Sequence, residues 1–504
     1  MRQTNIVKLS LCLAGIANIA TGCGVKKTEK KSEKSEKPNI LLILTDDQRF
    51  SSIHALQEKQ VITPNMDKLV ESGTVFTNAH IMGSMSGAVC LPSRAQLMTG
   101  KYLFHLTDGG KNFPKEDVTL PETLKNNGYR TFGTGKWHNS KDGYARSFTD
   151  GGKIFFGGMS NHMQVPLHDF NPEGKYKKAD RYVEKKFSSE IFADAAIDYI
   201  SDYKADNPFF MFVSFTAPHD PRMAPKRYVD MYDPNEITLP PNYMEEHPFD
   251  NGELIIRDEL LAPFPRTKDV TKKEIIAYYA MLTEVDEQIG RIIATLKKSG
   301  KYENTIIVFG GDNGLAVGQH GLMGKQNVYD HSIRVPLVFA GPGIEKGVKS
   351  DVLCMLSDVF PTVCDLTDIK TPKSIDTHSL INNIKNPNQK VGPYKDLYFA
   401  YKSYQRGYVD QEGWKMIRYN VKGKETVQLF NLKADPYEIN NLANNPKYSD
   451  RVIAMKKAMQ TSAKNTGDKV DFSVKGWNIP EMENWKENRL RRGLPIDHSA
   501  AKMH

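Results

Sequence analysis

Three continuous apolar runs constrain what this chain can fold into. Ile40-Leu41-Leu42-Ile43-Leu44, Phe209-Phe210-Met211-Phe212-Val213 and Ile306-Ile307-Val308-Phe309 show no polar alternation. A strand with one wet face alternates, whereas a strand covered on both faces does not. These runs therefore predict a largely parallel sheet with helices on both sides. The intervening sequence supplies the helices. Thr63 and Pro64 read as a cap and first residue, residues 119–127 end at Gly128, and residues 187–203 form another helix. Leu282, Val285, Ile289, Ile292 and Leu296 recur at spacings of 3, 4, 3 and 4, the stripe of a long amphipathic helix. Residues 75–81, 130–133 and 335–340 read as further strands. After about residue 385 the pattern changes to short strands at 397–401, 414–418 and 427–430, an antiparallel meander, followed by a helix over 449–464. From Trp477 onward the chain reads as polar and irregular. The expectation is an α/β protein: a large mixed, mostly parallel sheet flanked by helices over residues 38–385, and a smaller α+β subdomain with an antiparallel sheet over 386–504.

The apolar runs stop abruptly in polar residues. Thr45-Asp46-Asp47-Gln48 follows the first, and Gly310-Gly311-Asp312-Asn313 follows the third. Carboxylates and a side-chain amide are ligands for a hard divalent cation, Ca²⁺ or Mg²⁺. Either pair alone reads as an ordinary turn. Both together, at the carboxyl ends of buried strands where open α/β sheets bind ligands, read as a metal site. A second set is basic: Lys136 and His138 in Gly135-Lys136-Trp137-His138, His219 in Pro218-His219-Asp220-Pro221, and Lys325 in Gly324-Lys325-Gln326. Two lysines and two histidines near strand ends can hold a tetrahedral anion and move protons. Between these sets lies Cys90-Leu91-Pro92-Ser93-Arg94, in which a helix predicted over 92–98 starts just after Cys90.

That pentapeptide, extended by Leu97, Thr99 and Gly100, resembles the signature of the type I sulfatases of the alkaline phosphatase superfamily. The resemblance covers roughly residues 38–376, and the segment from Phe430 to Ala443 looks like the end of many sulfatases. It implies that Cys90 is oxidised to Cα-formylglycine by a sulfatase-maturing enzyme. It also implies that Asp46, Asp47, Asp312, Asn313 and the converted Cys90 hold Ca²⁺, and that Arg94, Lys136, His138, His219 and Lys325 are catalytic. In the implied chemistry the hydrated aldehyde attacks the sulfur of a sulfate ester, and Ca²⁺, Lys136 and Lys325 stabilise the sulfuryl oxygens. Asp312 accepts the attacking hydroxyl's proton, and His219, with Lys325, protonates the departing alcohol. His138 takes the second hydroxyl's proton as sulfate leaves, and Arg94 orients the hydrate. Specificity is expected in the loops over 139–186 and 222–271, with His162, His168, Arg222 and Arg257 as candidates for holding sugar hydroxyls. The expected substrate is a sulfated carbohydrate: galactose, N-acetylgalactosamine or N-acetylglucosamine of host mucin, glycosaminoglycan or algal glycans. Two alternatives stand beside it. One is a phosphodiester or phosphonate monoester hydrolase using the same formylglycine. The other is a catalytically dead surface glycan-binding lipoprotein, whose expected sign, loss of Cys90, Asp312 or His219, is absent.

The amino terminus points to export. Arg2 and Lys8 precede a short apolar stretch over 9–20, the pattern of a secretory signal. It ends in Ala20-Thr21-Gly22-Cys23, which resembles a bacterial lipoprotein signal. This gives a signal peptide over 1–22, a lipidated Cys23 that anchors the chain to a membrane, and a Lys/Glu/Ser tether over 23–37 whose stretch 26–37 has no apolar residue and cannot form a core. The compartment implied is the periplasm, outer membrane or cell surface of a Gram-negative bacterium. The formal charge of +8 includes Arg2, Lys8 and the tether's excess of three lysines, which leaves +3 on the rest. That balance gives no reason to expect nucleic-acid binding. Of the five cysteines, Cys12 leaves with the signal and Cys23 takes the lipid. Cys354 and Cys364 either pair or remain core thiols, and Cys90 is left unpaired.

Overall fold

The computed structural model describes residues 37–496; the signal peptide, Cys23 and all of the tether but Lys37 lie outside them. In chain order the strands are β1 (Asn39–Thr45), β2 (Gly73–His80), β3 (Gly83–Ser84), β4 (Arg130–Lys136), β5 (Asp150–Phe155), β6 (Phe209–Ser214), β7 (Thr305–Gly311), β8 (Leu337–Ala340), β9 (Val348–Met355), β10 (Asp396–Tyr401), β11 (Gln405–Asp410), β12 (Trp414–Val421) and β13 (Lys424–Asn431). Eight form one sheet in the order β5-β4-β6-β1-β7-β8-β2-β9, and β8 alone runs against its neighbours. The other sheet, β13-β12-β11-β10-β3, is an antiparallel meander to which β3 adds in parallel. The mixed α/β class with a separate antiparallel sheet is as the sequence predicts.

The unbroken apolar runs have the predicted cause. Along β1, Ile40, Leu42 and Leu44 enter one hydrophobic core, and Leu41 and Ile43 enter another on the opposite face. The helix Lys268–Lys298 covers the second face with Val285, Ile289, Ile292 and Leu296, all fully buried. Its Asp286 also reaches the helix Pro64–Ser72 and accepts backbone N–H groups of Asn65 at 3.0 Å and Met66 at 2.7 Å. Thr63 therefore does not cap that helix; its hydroxyl donates to Asp67 instead. A carboxylate at a helix N-terminus satisfies two orphan donors and opposes the helix dipole.

Four strands escaped the sequence reading, the two-residue β3 among them. β5 and β9 are the two edges of the large sheet, and edges carry glycine and charge because one side stays unpaired. β11 is internal, but its polar Gln405 and Arg406 are buried with partners: Gln405 donates to the Asn251 carbonyl, and Arg406 pairs with Asp468 at 2.6 Å. Cys354 and Cys364 are free, buried thiols. The tail past Trp477 is less irregular than expected, since it forms the helix Trp485–Arg491 with a capping box on Asn484 and Glu487.

The small sheet is tied to the segment that leads into Cys90. β3 pairs Gly83 with Ala400 and Ser84 with Tyr401. Gly135, near the end of β4, has φ +89° and packs so closely on β6 that an added Cβ would meet the Ser214 carbonyl oxygen at 1.9 Å. Both the backbone conformation and the space require glycine there. Gly135→Ala is expected to lower stability by about 2–4 kcal/mol, measured as a shift in the chemical denaturation midpoint.

Candidate active site

Four adjacent strands, β4, β6, β1 and β7, are parallel, so their carboxyl ends lie along one edge. Lys136 ends β4, Asp46 and Asp47 follow β1, Asp312 and Asn313 follow β7, and His138 and His219 lie a few residues past β4 and β6. The register Thr45 to Gly311 sets Asp46 level with Asp312. Cys90 is the first residue of the helix Cys90–Thr99, which places it over the same edge.

Asp46, Asp47 and Asp312 each present an oxygen within 4.8 Å of the others, and all three are fully buried. Cationic groups surround them. Arg94 Nε donates to Asp312 Oδ2 at 2.7 Å, and Nη1 donates to the Lys136 carbonyl and Ser214 Oγ at 2.9 and 2.6 Å. Lys136 Nζ pairs with Asp46, and Lys325 Nζ pairs with Asp47 Oδ1 at 2.5 Å. Burial raises Asp46 well above the ordinary carboxylate range, and its neighbour Asp312 raises it further. Burial would also raise Asp312, but Arg94, Lys136 and Lys325 outweigh it and hold that group below the usual value. The Asp312 carboxylate is thereby held in its charged form beside Asp46 and Asp47.

The donor set fits a hard cation. Asp46 Oδ1, Asp47 Oδ2 and Asn313 Oδ1 are buried oxygens without any hydrogen-bond partner. Orphaned buried acceptors are costly, and three of them at one cluster are what a cation would satisfy. Asp47 takes φ +70°, and its amide donates to Asp312 Oδ1 at 3.0 Å. Arg94 Nη2 is a buried donor without a partner beside them.

Cys90 sits among these groups. Its Sγ lies 3.3 Å from His138 Nδ1 and 3.5 Å from Lys136 Nζ. Burial pushes its thiol from the ordinary 9 to about 11 against the pull of Lys136 and Lys325. His138 takes φ +71°, and an added Cβ on Gly158 would come within 2.7 Å of its Nε2, so glycine there makes room for the ring. The Gly158 carbonyl accepts from Lys136 Nζ at 2.6 Å. Trp137 locks this turn, donating to the Ser140 carbonyl and packing edge-on against Phe113, Tyr144 and Phe148. His219 Nδ1 contacts the Asp220 carbonyl at 2.9 Å, and its Nε2 lies 3.8 Å from Asp47 Oδ2. Burial first, then the nearby lysines, holds both His138 and His219 well below the ordinary histidine value, so both rings are neutral near pH 7.

A cavity of about 310 Å³ opens over this cluster, reached by Cys90, His138, His219 and Lys325 and bordered by Met159, Ile256, Arg257, Asp258 and Trp485. Of the four candidates for sugar contact, only Arg257 borders it. His162 is buried, with Nδ1 against Ser188 Oγ and Nε2 against the His219 carbonyl, so it braces the loop of His219. His168 pairs its backbone with Ile154 and turns its ring to the Lys177 carbonyl. Arg222 is buried against Glu274 and the Met323 carbonyl. The assignment of His162, His168 and Arg222 to substrate is corrected accordingly: their polar groups face the protein interior. Arg257 bridges Asp220 and Asp258 at 2.9 and 2.6 Å. Burial raises Asp220 to about 6, whereas Arg257 and Lys325 overcome burial at Asp258 and hold it at about 2.

Sequence reasoning missed Ser214, Gly158, Asp258 and Trp485. Ser214 had a readable signal, a polar residue closing an apolar strand, and Asp258 adjoins a flagged arginine. Trp485 had none, because only the path of the tail brings it here.

The sulfatase family model matches residues 38–369, and a model named N-sulphoglucosamine sulphohydrolase, C-terminal, matches residues 318–465. An ulvan-active sulfatase of Formosa agariphila is 30% identical, over 92% of this chain and 90% of that relative. An N-acetylglucosamine-6-O-sulfatase of Bacteroides thetaiotaomicron is 26% identical, over 87% of this chain and 88% of that relative. Among solved structures, a protein in complex with its substrate D-glucosamine-2-N,6-O-disulfate superposes with a TM-score of 0.71 at 24% identity, over 86% of this chain and 99% of that one. The phosphonate monoester hydrolase of Agrobacterium radiobacter gives a TM-score of 0.69 at 20% identity, over 85% of this chain and 96% of that one. The fold is that of the alkaline phosphatase superfamily, and the chain belongs to the sulfatase family. It is a sulfuric ester hydrolase.

At pH 8 a thiol held near 11 exists as thiolate about a hundredfold less often than one at 9. Unconverted Cys90 is therefore expected to react with iodoacetamide about a hundredfold more slowly than a free cysteine, read by mass spectrometry of its peptide over time.

Proposed function

We propose that this sulfatase removes sulfate from carbohydrates, using a Cα-formylglycine made from Cys90 and a bound calcium ion. The observation that carries the reading is the trio of unpartnered buried oxygens on Asp46, Asp47 and Asn313, beside a buried cysteine whose raised pKa keeps it a protonated thiol near pH 7. Sγ of Cys90 stands where the oxygens of the converted residue would stand. A hydrated aldehyde there supplies oxygen both as ligand and as nucleophile, and calcium supplies charge for the sulfuryl oxygens. The chain's own groups do the rest. Lys136 and Lys325 hold the anionic oxygens, and neutral His138 accepts a proton at Nδ1. Nη2 of Arg94, with no partner of its own, orients the converted side chain. His219 faces the departing oxygen with Lys325 as its charged neighbour.

The ulvan-active and N-acetylglucosamine-6-O-sulfatase relatives support a sugar substrate. Sulfated galactose, N-acetylgalactosamine or N-acetylglucosamine of mucin, glycosaminoglycan or algal glycans are the candidates. The expected lipid anchor at Cys23 would hold the enzyme in the periplasm or at the cell surface, where such glycans arrive, after a maturing enzyme has converted Cys90.

Full-length protein, with conversion of Cys90 verified by peptide mass, is expected to release sulfate from at least one sulfated monosaccharide of that panel faster than it cleaves bis(p-nitrophenyl) phosphate. Faster phosphodiester turnover would sink the sulfatase assignment in favour of the phosphodiesterase alternative. Cys90→Ala should cut kcat by about a thousandfold or more. Chelation should lower the melting midpoint by about 3–5 °C, restored by Ca²⁺. Asn313→Ala should weaken that calcium response, and an apoprotein that melts identically with and without Ca²⁺ would refute the metal site.

A further inference from the structure

The tail beyond residue 465 lies outside both matched family models, yet it reaches the active site. It is fastened on the way. Met482 accepts from Tyr404 at its carbonyl and donates its amide to Ser403 Oγ at 2.7 Å. The Glu483 carbonyl accepts from Lys402 Nζ at 3.3 Å, and the Trp485 amide donates to Glu253 Oε2 at 3.2 Å. Glu253 is itself buried and paired with Lys402. These bonds set Trp485, half-buried, at the border of the cavity over Cys90. Arg489 lies over its ring, 5.0 Å from the centroid. Ile256 and the exposed Met159 add apolar surface to the same border, where Arg257 Nη1 contacts Met159 Sδ, and Arg257 and Asp258 add polar surface.

We propose that Trp485 is a specificity-determining residue: its indole stacks on the apolar face of the pyranose whose sulfate sits at Cys90. The inference rests on the carbohydrate reading above. The reacting end of the cavity is charged and strongly polar, which suits sulfate but cannot select the alcohol that carries it. A pyranose has one face of C–H groups and a rim of hydroxyls, so a cavity bordered by an indole and by a carboxylate–guanidinium pair offers partners for both. Arg489 covers one indole face, so the proposed stacking uses the other. A cavity of about 310 Å³ is at the small end for ligand sites, which suits one sugar residue at a chain end.

The test compares wild type, Trp485→Ala and Trp485→Phe, all with Cys90 conversion verified. The probes are the 6-sulfates of galactose, N-acetylgalactosamine and N-acetylglucosamine, with n-butyl sulfate as a ring-free ester. For Trp485→Ala the ratio of kcat/KM on the preferred sugar to that on butyl sulfate should fall about tenfold, through KM rather than kcat. Trp485→Phe should restore the ratio to within about threefold of wild type, because an aromatic face remains. An unchanged ratio in Trp485→Ala, with wild type active on sugars, overturns the inference and leaves the carbohydrate reading intact. Equal loss in Ala and Phe variants on every probe also overturns it, since that marks a purely structural tryptophan. A wild type that turns over butyl sulfate but none of the sugars overturns the carbohydrate reading and the inference together.

Discussion

Arg94 grips Asp312 while Lys136 and Lys325 grip Asp46 and Asp47, so three buried carboxylates face three buried cations at one edge of the sheet. Each charge alone would be prohibitive to bury, and only the ensemble makes the site tolerable. The balance also defines what the site can accept. The side chains cancel, so a bound divalent cation would leave an excess of two positive charges to meet a sulfate ester. Removing one cationic residue strands a carboxylate, and removing one carboxylate strands a cation. Folding and function are therefore coupled through the same six side chains.

This balance is set by strand register. β1 and β7 lie in parallel, with Thr45 opposite Gly311, and that pairing delivers Asp46 and Asp312 to the same level. A slip by one residue would exchange the two faces of β1, sending Leu41 and Ile43 to the other core and separating the carboxylates. The apolar runs that fix the register are thus also what bring the three carboxylates together. Gly135 has the same dual function on the other side, since the close approach of β4 to β6 that only glycine allows carries Lys136 and His138 toward Cys90.

Those local facts are why so much of the fold was legible in the sequence. A run such as Ile40 to Leu44 reports burial on both faces directly, and the polar residues that follow it mark a strand end. Edge strands β5 and β9 were not legible, because half-paired strands keep glycine and charge and lose the apolar signal. Thr63 looked like a cap because sequence shows only neighbours, whereas Asp286 arrives from a helix more than two hundred residues away. His162, His168 and Arg222 failed as substrate contacts for a related reason. Polar side chains in loops are exposed by default, but long loops here pack inward and consume these groups in bracing carbonyls and Glu274.

The division between legible and hidden follows the division of labour in the site. Cys90 and the carboxylates beside it lie at a helix start and at strand ends, where sequence pattern and position coincide. Groups that border the rest of the cavity come from separate stretches: Met159 from the loop after β5, Ile256 to Asp258 from the loop before the long helix, and Trp485 from the tail. Their meeting depends on tertiary contacts such as Lys402 with Glu253 and Tyr404 with Met482, which anchor the tail on the small sheet. That sheet is in turn tied to the Cys90 approach through β3. The small sheet therefore connects the two halves of the problem. One of its edges positions the segment that leads into Cys90, and its β10–β11 turn holds the tail that borders the cavity. A chain built this way can change its tail, and with it the border of the cavity, without disturbing the charge balance around Cys90.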